Sequence, residues 1–180
     1  MSAATSEPAA RLRSLVREVP DFPEPGIVYK DITPLLGDAD GFALAVEALA
    51  EPWAGAVDVV VGVEARGFIL GAPVARRLDL GFVPVRKQGK LPWETSSEAY
   101  GLEYGTDVLE LHIDAVLPDQ RVLVIDDVLA TGGTAAAAGR LVDRVGASVV
   151  GFGFLLELAF LGGRERLTGH RIESVMIEEG

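Results

Sequence analysis

One run constrains this chain more than any other: Arg121-Val122-Leu123-Val124-Ile125-Asp126-Asp127-Val128-Leu129-Ala130-Thr131-Gly132-Gly133-Thr134. Its uninterrupted apolar stretch, Val122 to Ile125, reads as a parallel strand covered on both faces. Two adjacent carboxylates, Asp126 and Asp127, are expected to end that strand. Thr131-Gly132-Gly133-Thr134 then turns the chain, and Ala135 to Val142 opens as a helix. Glycines let a backbone come close to a ligand, and the first N–H groups of a helix have no partner within it. Such an order suits an anion held beside hydroxyl groups, with the helix end contributing roughly 0.3–2 kcal/mol. The acids can accept hydrogen bonds from sugar hydroxyls or help hold a divalent cation. The pattern alone leaves two other readings open: a buried strand whose acids are merely solvated, or a Walker B strand. No G-x-x-x-x-G-K-[ST] accompanies it, because Pro84 stands where the first glycine should precede Gly89-Lys90, and Leu91 follows the lysine. No complete G-x-G-x-x-G exists either, since Leu156 occupies the third glycine position after Gly151-Phe152-Gly153.

Around this run, strands alternate with helices. Val57 to Val63 reads as a buried strand, followed by Glu64-Ala65-Arg66-Gly67 and a helix to about Leu78. Further strands are predicted over Gly81 to Val85, Leu109 to Ile113, Ser148 to Leu156 and Arg171 to Ile177. The alternation of Leu109 and Leu111 with Glu110 and His112 suggests a half-exposed strand. The spacing of Leu12, Leu15, Val16 and Val19 predicts a helix from Glu7 to Val19. A second helix is predicted to be capped by Asp40, with Phe42, Val46, Leu49 and Trp53 on one side. Pro20 to Gly26 holds three prolines in six residues and cannot be regular. Lys87 to Gly101 reads as a long polar loop. The sum is a single α/β domain, 1–180, with a mainly parallel central sheet flanked by helices. Ligands in such sheets sit beyond the carboxyl ends of the strands, near the switch point, where the loops after Val63 and Ile125 both fall.

The 49% apolar content over 180 residues argues against disorder and for one sizeable core. A net charge of −11 opposes nonspecific nucleic-acid binding. Yet five of the 16 basic residues fall between Arg76 and Lys90, a local concentration suited to a small anion. The chain has no cysteine, which excludes disulfides, thiolate metal sites and a cysteine nucleophile. Met1 to Pro8 lacks the apolar region of a signal peptide, and Glu157 interrupts the greasiest stretch, Ala147 to Gly163. A soluble cytoplasmic protein without membrane or nucleic-acid partners is expected.

The acidic doublet and glycine turn resemble the phosphoribosyl pyrophosphate (PRPP) motif of the type I phosphoribosyltransferases. By that resemblance Asp126 and Asp127 hold the ribose hydroxyls, and Ala130, Thr131, Gly132, Gly133 and Thr134 grip the 5′-phosphate. Three further runs are similar to adenine phosphoribosyltransferases of that family, and the likeness extends in register from about Val19 to Glu157. Gly62 to Ala75 resembles their pyrophosphate loop, which assigns Ala65 and Arg66 to pyrophosphate and places a non-proline cis peptide near Ala65. Pro84 to Pro92 supplies three cations within five residues, Arg86, Lys87 and Lys90, which the resemblance also assigns to pyrophosphate. Together with Trp93 to Gly105 it resembles the flexible catalytic loop, about 87–105. The same likeness makes Glu103 the acid–base residue and Tyr104 part of the cover, beside Arg66 as a catalytic group. Phe22 to Pro34 resembles the base-binding hood, about 19–36. There Val28 and Lys30 offer backbone contacts to adenine and Tyr29 stacks on it, opposite Val128. Family members commonly carry arginine where this chain has Lys30.

The resemblance implies transfer of phosphoribosyl from PRPP to adenine, giving AMP and pyrophosphate. Mg²⁺ is held mainly by PRPP near Asp126 and Asp127. A homodimer is implied as well, in which Arg86 or Lys87 reaches the partner's site. Another base (xanthine, hypoxanthine/guanine or orotate) is the first alternative. A PRPP-sensing regulator is the second, though such a protein needs a DNA-binding module and only about 18 residues precede the matched region. His112 and His170 are isolated and read as structural or surface residues.

Overall fold

The computed structural model describes residues 7–101 and 106–180. In chain order the elements are helix α1 (Glu7–Ser14), strands β1 (Arg17–Pro20) and β2 (Val28–Asp31), and helices α2 (Thr33–Gly37) and α3 (Ala39–Ala50). There follow β3 (Val59–Val63), α4 (Arg66–Arg77), β4 (Gly81–Lys87), β5 (Thr95–Gly101) and β6 (Thr106–His112). The chain continues through β7 (Arg121–Leu129), α5 (Gly133–Arg144), β8 (Ser148–Leu158) and β9 (Arg171–Glu178). Short 3-10 turns cover Glu51–Trp53, Ala159–Leu161 and Gly163–Leu167.

Seven strands form one sheet in the order β5-β6-β4-β3-β7-β8-β9. The five from β4 to β9 are parallel, and β6 and β5 add an antiparallel edge. Val59, Val61, Val122 and Val124 face α5 on one side, where Ala137, Ala138, Leu141 and Val142 are buried against them. Val60, Leu123 and Ile125 face the other way, onto Leu49, Trp53, Leu70 and Val74 of the α3–α4 layer. Coverage on both faces explains why these strands read as continuous apolar runs. A separate two-stranded antiparallel sheet, β1 with β2, lies within the segment that the resemblance reads as the hood, with Glu18 opposite Lys30 and Val19 opposite Tyr29.

Several sequence expectations change here. The first helix stops at Ser14, not Val19, because Arg17–Pro20 is drawn into the ladder with Val28–Asp31. Asp38, not Asp40, caps α3: its Oδ1 accepts from Gly41 N at 2.7 Å, and Asp40 sits within the first turn. Asp126 and Asp127 do not end β7 but lie inside it, since β8 goes on pairing with the strand to Leu129↔Glu157. The long polar loop contains a strand: β5 pairs along its length with β6, from Thr95↔His112 to Gly101↔Thr106. Its polarity has a physical source, because Glu98 meets Arg140 and Arg144 of α5 rather than an apolar face. Glu110 is buried rather than exposed, its Oε2 accepting from Gly89 N at 2.9 Å.

Candidate functional site

The sheet's direction of growth reverses between β3 and β7, with β4 laid down on one side and β7 on the other. Beyond the carboxyl ends of these two strands opens a cleft of about 520 Å³, the place such sheets reserve for ligands. Gly67, in the first turn of α4, makes the approach possible. A Cβ there would stand 2.9 Å from both Ile125 O and Asp126 Oδ1.

Asp126 borders the cleft and Asp127 is almost fully buried, at 5% exposure. Burial, followed by the negative charge of Asp127, pushes the Asp126 carboxyl well above the usual carboxylate range. Burial raises Asp127 too, although the Arg66 guanidinium opposes it. Arg66 Nε lies 2.7 Å from Asp127 Oδ2, yet no N–H is directed at that oxygen, which lacks a hydrogen-bond partner. A buried carboxylate oxygen that accepts no hydrogen bond and belongs to a cleft-lining residue is suited to a hydroxyl donor or a cation.

Next to the acids, Ala130 to Thr134 shape a smaller recess of about 70 Å³. Gly132 caps α5 at φ +78°, a conformation that favours glycine, so the first N–H groups of α5 open onto the loop. Behind the loop lies the 3-10 turn that begins at Gly163. That turn is tied down by Arg164, which donates to both oxygens of buried Glu157 at 2.6 and 2.7 Å. Ser174 Oγ adds a third bond to Glu157, at 2.6 Å.

On the opposite wall, the Glu64–Ala65 peptide is cis, as the resemblance implied. Ala65, Arg66 and Lys87 line the cleft. Arg86 does not: its Nη2 and Nε lie 3.0 and 3.3 Å from Glu64, and its Nη1 donates to Lys90 O at 3.1 Å. Lys90 is exposed outside the cleft lining. The Glu64 carboxylate also accepts from Lys87 N at 2.9 Å, fixing the end of β4 to the β3–α4 turn. Arg86 beside it holds its pKa below the ordinary value.

The hood closes the third side with Ile27, Val28, Tyr29 and Lys30. Val28 is 49% exposed, and β2 has a strand partner on one edge alone. The Tyr29 ring sits edge-on to Phe22 at 5.2 Å and beneath the Arg66 guanidinium at 5.4 Å. Lys30 also lines the cleft, and its ammonium pairs with Glu18 across the β1–β2 ladder. Val128 borders the same cavity. Glu103 and Tyr104 lie outside the described residues. Four cleft residues had no role assigned from sequence: Ile27, Glu64, Tyr100 and Leu158. Glu64 and Tyr100 stood within quoted motifs, but nothing in their spacing marked them; Leu158 lay beyond the matched region.

Among the described residues no group of three or more His, Cys, Asp or Glu could cage a metal. Mg²⁺ commonly takes one or two carboxylates together with substrate phosphates. Asp127 Oδ2, ion-paired with Arg66 but accepting no hydrogen bond, lines the cleft and fits an ion held in that shared way.

The phosphoribosyl transferase domain model matches residues 38–167. An adenine phosphoribosyltransferase of Streptomyces clavuligerus is 62% identical over 158 residues, covering 87% of this chain and 88% of that protein. The solved adenine phosphoribosyltransferase of Thermoanaerobacter pseudethanolicus superposes with a TM-score of 0.92 at 52% identity, over 94% of this chain and 99% of that one. That of Saccharomyces cerevisiae, complexed with adenine and an imino-altritol bisphosphate, gives 0.91 at 36% identity, over 96% and 100%. The chain therefore belongs to the phosphoribosyl transferase family, and within it to the adenine phosphoribosyltransferases.

Proposed function

We propose that the chain transfers the 5-phosphoribosyl group of PRPP to adenine, producing AMP and pyrophosphate in purine salvage. The observation that carries this reading is the junction of three unlike surfaces around one cleft: a phosphate-sized loop, an acidic pair and an apolar hood. Ala130 to Thr134 take the 5′-phosphate on backbone N–H groups and the two threonine hydroxyls. Asp126 and Asp127 accept from the ribose hydroxyls. Ala65, Arg66 and Lys87 face the pyrophosphate, where fixed positive charge stabilises the leaving group as the glycosidic bond lengthens. Arg86 and Lys90 serve that end from the cleft's margin: Arg86 holds Glu64, and Lys90 adds exposed charge.

The open edge of β2 supplies Val28 and Lys30 backbone groups to adenine, while Tyr29 and Val128 sandwich the ring. A backbone carbonyl accepts from an exocyclic amine and repels a keto oxygen, which separates adenine from oxo-purines. Glu103 exchanges the purine proton and Tyr104 covers it. Bound Mg²⁺ would neutralise pyrophosphate charge near Asp126 and Asp127. A homodimer in the cytoplasm completes the reading. Among the described residues, no helix is long and apolar enough to cross a membrane.

Pyrophosphate release measured with each purine in turn, with and without magnesium, tests the assignment. Adenine alone should support rapid release. Equal turnover with hypoxanthine or guanine would overturn the choice of base, and no turnover with any base would overturn the reaction.

A further inference from the structure

Lys87 is the cleft's exposed pyrophosphate-side cation, and its stem is long and flexible. A lysine of that kind carries about 2 kcal/mol of rotamer entropy, so something must hold it for its charge to act at one place. In this structure the holder is Asp107, whose Oδ2 lies 3.0 Å from Lys87 Nζ. The same oxygen accepts from the Tyr100 hydroxyl at 3.3 Å. Tyr100 is buried at 8% exposure and lines the cleft. Beyond it, the Tyr100 ring packs at the start of α5, where a Cβ on Gly133 would stand 3.7 Å from it, and Thr134 lines the same cleft.

The backbone enforces the same connection. Tyr100 and Asp107 face each other across the β5–β6 ladder, and Lys87 is bound into β4 opposite Leu109 of β6. Asp107 also accepts from its own neighbour, Val108 N, at 2.9 Å. Its carboxylate is therefore oriented by the main chain and shared between two side chains from different strands. The lysine and the carboxylate reinforce each other: Asp107 raises the Lys87 pKa, and Lys87 lowers that of Asp107.

We infer that Asp107 is a positioning residue for the phosphoribosyl donor, holding Lys87 at the pyrophosphate end and, through the Tyr100 ring, the Gly133–Thr134 start of α5 at the 5′-phosphate end. The inference rests on the PRPP-binding reading and adds to it a mechanical link between the two ends of the donor. PRPP must meet both ends at once. A scaffold that fixes their separation lowers the ordering cost of binding, and adenine, on the hood side, does not depend on it.

Asp107→Asn keeps the shape but loses the charge that orients Lys87. It should raise KM for PRPP about tenfold, the scale of one lost charge-assisted hydrogen bond, with kcat and the KM for adenine within about twofold. Asp107→Glu should recover part of that loss. Calorimetry with inorganic pyrophosphate and ribose 5-phosphate as separate probes divides the roles. Asp107→Asn should weaken both, whereas Tyr100→Phe, which keeps the ring, should weaken ribose 5-phosphate more than pyrophosphate.

Unchanged or tighter pyrophosphate binding by Asp107→Asn would overturn the inference, as would a loss that falls equally on adenine and PRPP. Thermal unfolding of each variant separates a local effect from a folding defect, and a KM change that only tracks a lower Tm also counts against it. The parent protein is the control for the underlying reading: if it neither turns over PRPP nor binds either probe, the donor site itself is wrong.

Discussion

Gly132→Ala concentrates the strain of the phosphate loop in a single methyl group. Gly132 has φ +78°, and a Cβ on it would stand 2.5 Å from Gly163 O and 3.3 Å from Arg166 Cβ. Two costs add. An alanine held in the left-handed region loses about 1–2 kcal/mol. Forcing the loop and the Gly163 turn apart adds about 1–3 kcal/mol, because the atoms that must yield belong to backbone. A mid-range total of about 3.5 kcal/mol lowers Tm by roughly 7–14 °C in a domain of this size. The displaced groups are the ones proposed to meet the 5′-phosphate, so KM for PRPP should rise by about tenfold or more while the affinity for adenine stays put. Thermal unfolding read by circular dichroism and steady-state kinetics with each substrate varied are the two assays. A variant with parental Tm and parental KM for PRPP would refute the close contact between the loop and the Gly163 turn.

Two other perturbations probe the acids. Glu103→Gln should lower kcat by roughly 10²–10⁴ with little change in PRPP binding, the signature of a lost proton-transfer group; an unaltered kcat would remove Glu103 from the mechanism. Asp126→Asn should abolish turnover yet stabilise the unliganded protein near neutral pH. The folded state raises the Asp126 pKa, so it binds the proton more tightly than the unfolded chain does. Ionisation therefore costs stability from the ordinary carboxylate range upward. The Tm advantage of Asp126→Asn should grow as pH rises above about 4 and vanish below it. A variant less stable than its parent at pH 7 would contradict the sign.

The sequence announced what is buried on two faces and missed what is paired on one. Val59 to Val63 and Val122 to Ile125 were legible because helices cover both their sides. The glycine turn was legible because glycine takes the left-handed bend at Gly132 without a steric cost. Strand β5 was not legible, since its partners on α5 are arginines and its residues accordingly look like a loop. Strand β1, with Arg17, Glu18 and Pro20, owes its form to the ladder with β2 and carries no apolar alternation. The acids seemed to end β7 because hydrophobic pattern records coverage, whereas the ladder with β8 runs on past the point where the faces open into the cleft. Site residues carried by the named motifs line the cleft or the smaller recess beside it, apart from Arg86, Lys90 and the pair outside the described residues. Glu64 and Tyr100 escaped notice because they act on other side chains, and that kind of relation leaves no mark in spacing.

Leu158 aside, every described residue that lines the cleft lies at or before Thr134. The two ends of the cleft nevertheless lean on what comes afterwards. Arg13, just ahead of the hood, is tethered by its Nη2 to Ile177 O at 2.9 Å and pairs with Glu178. The turn behind the phosphate loop hangs from the Glu157–Arg164 bond. Chemistry and scaffolding are thus written in different stretches of the chain. Substitutions near the carboxyl terminus can reach the proposed base and phosphate sites from opposite directions without lining either one.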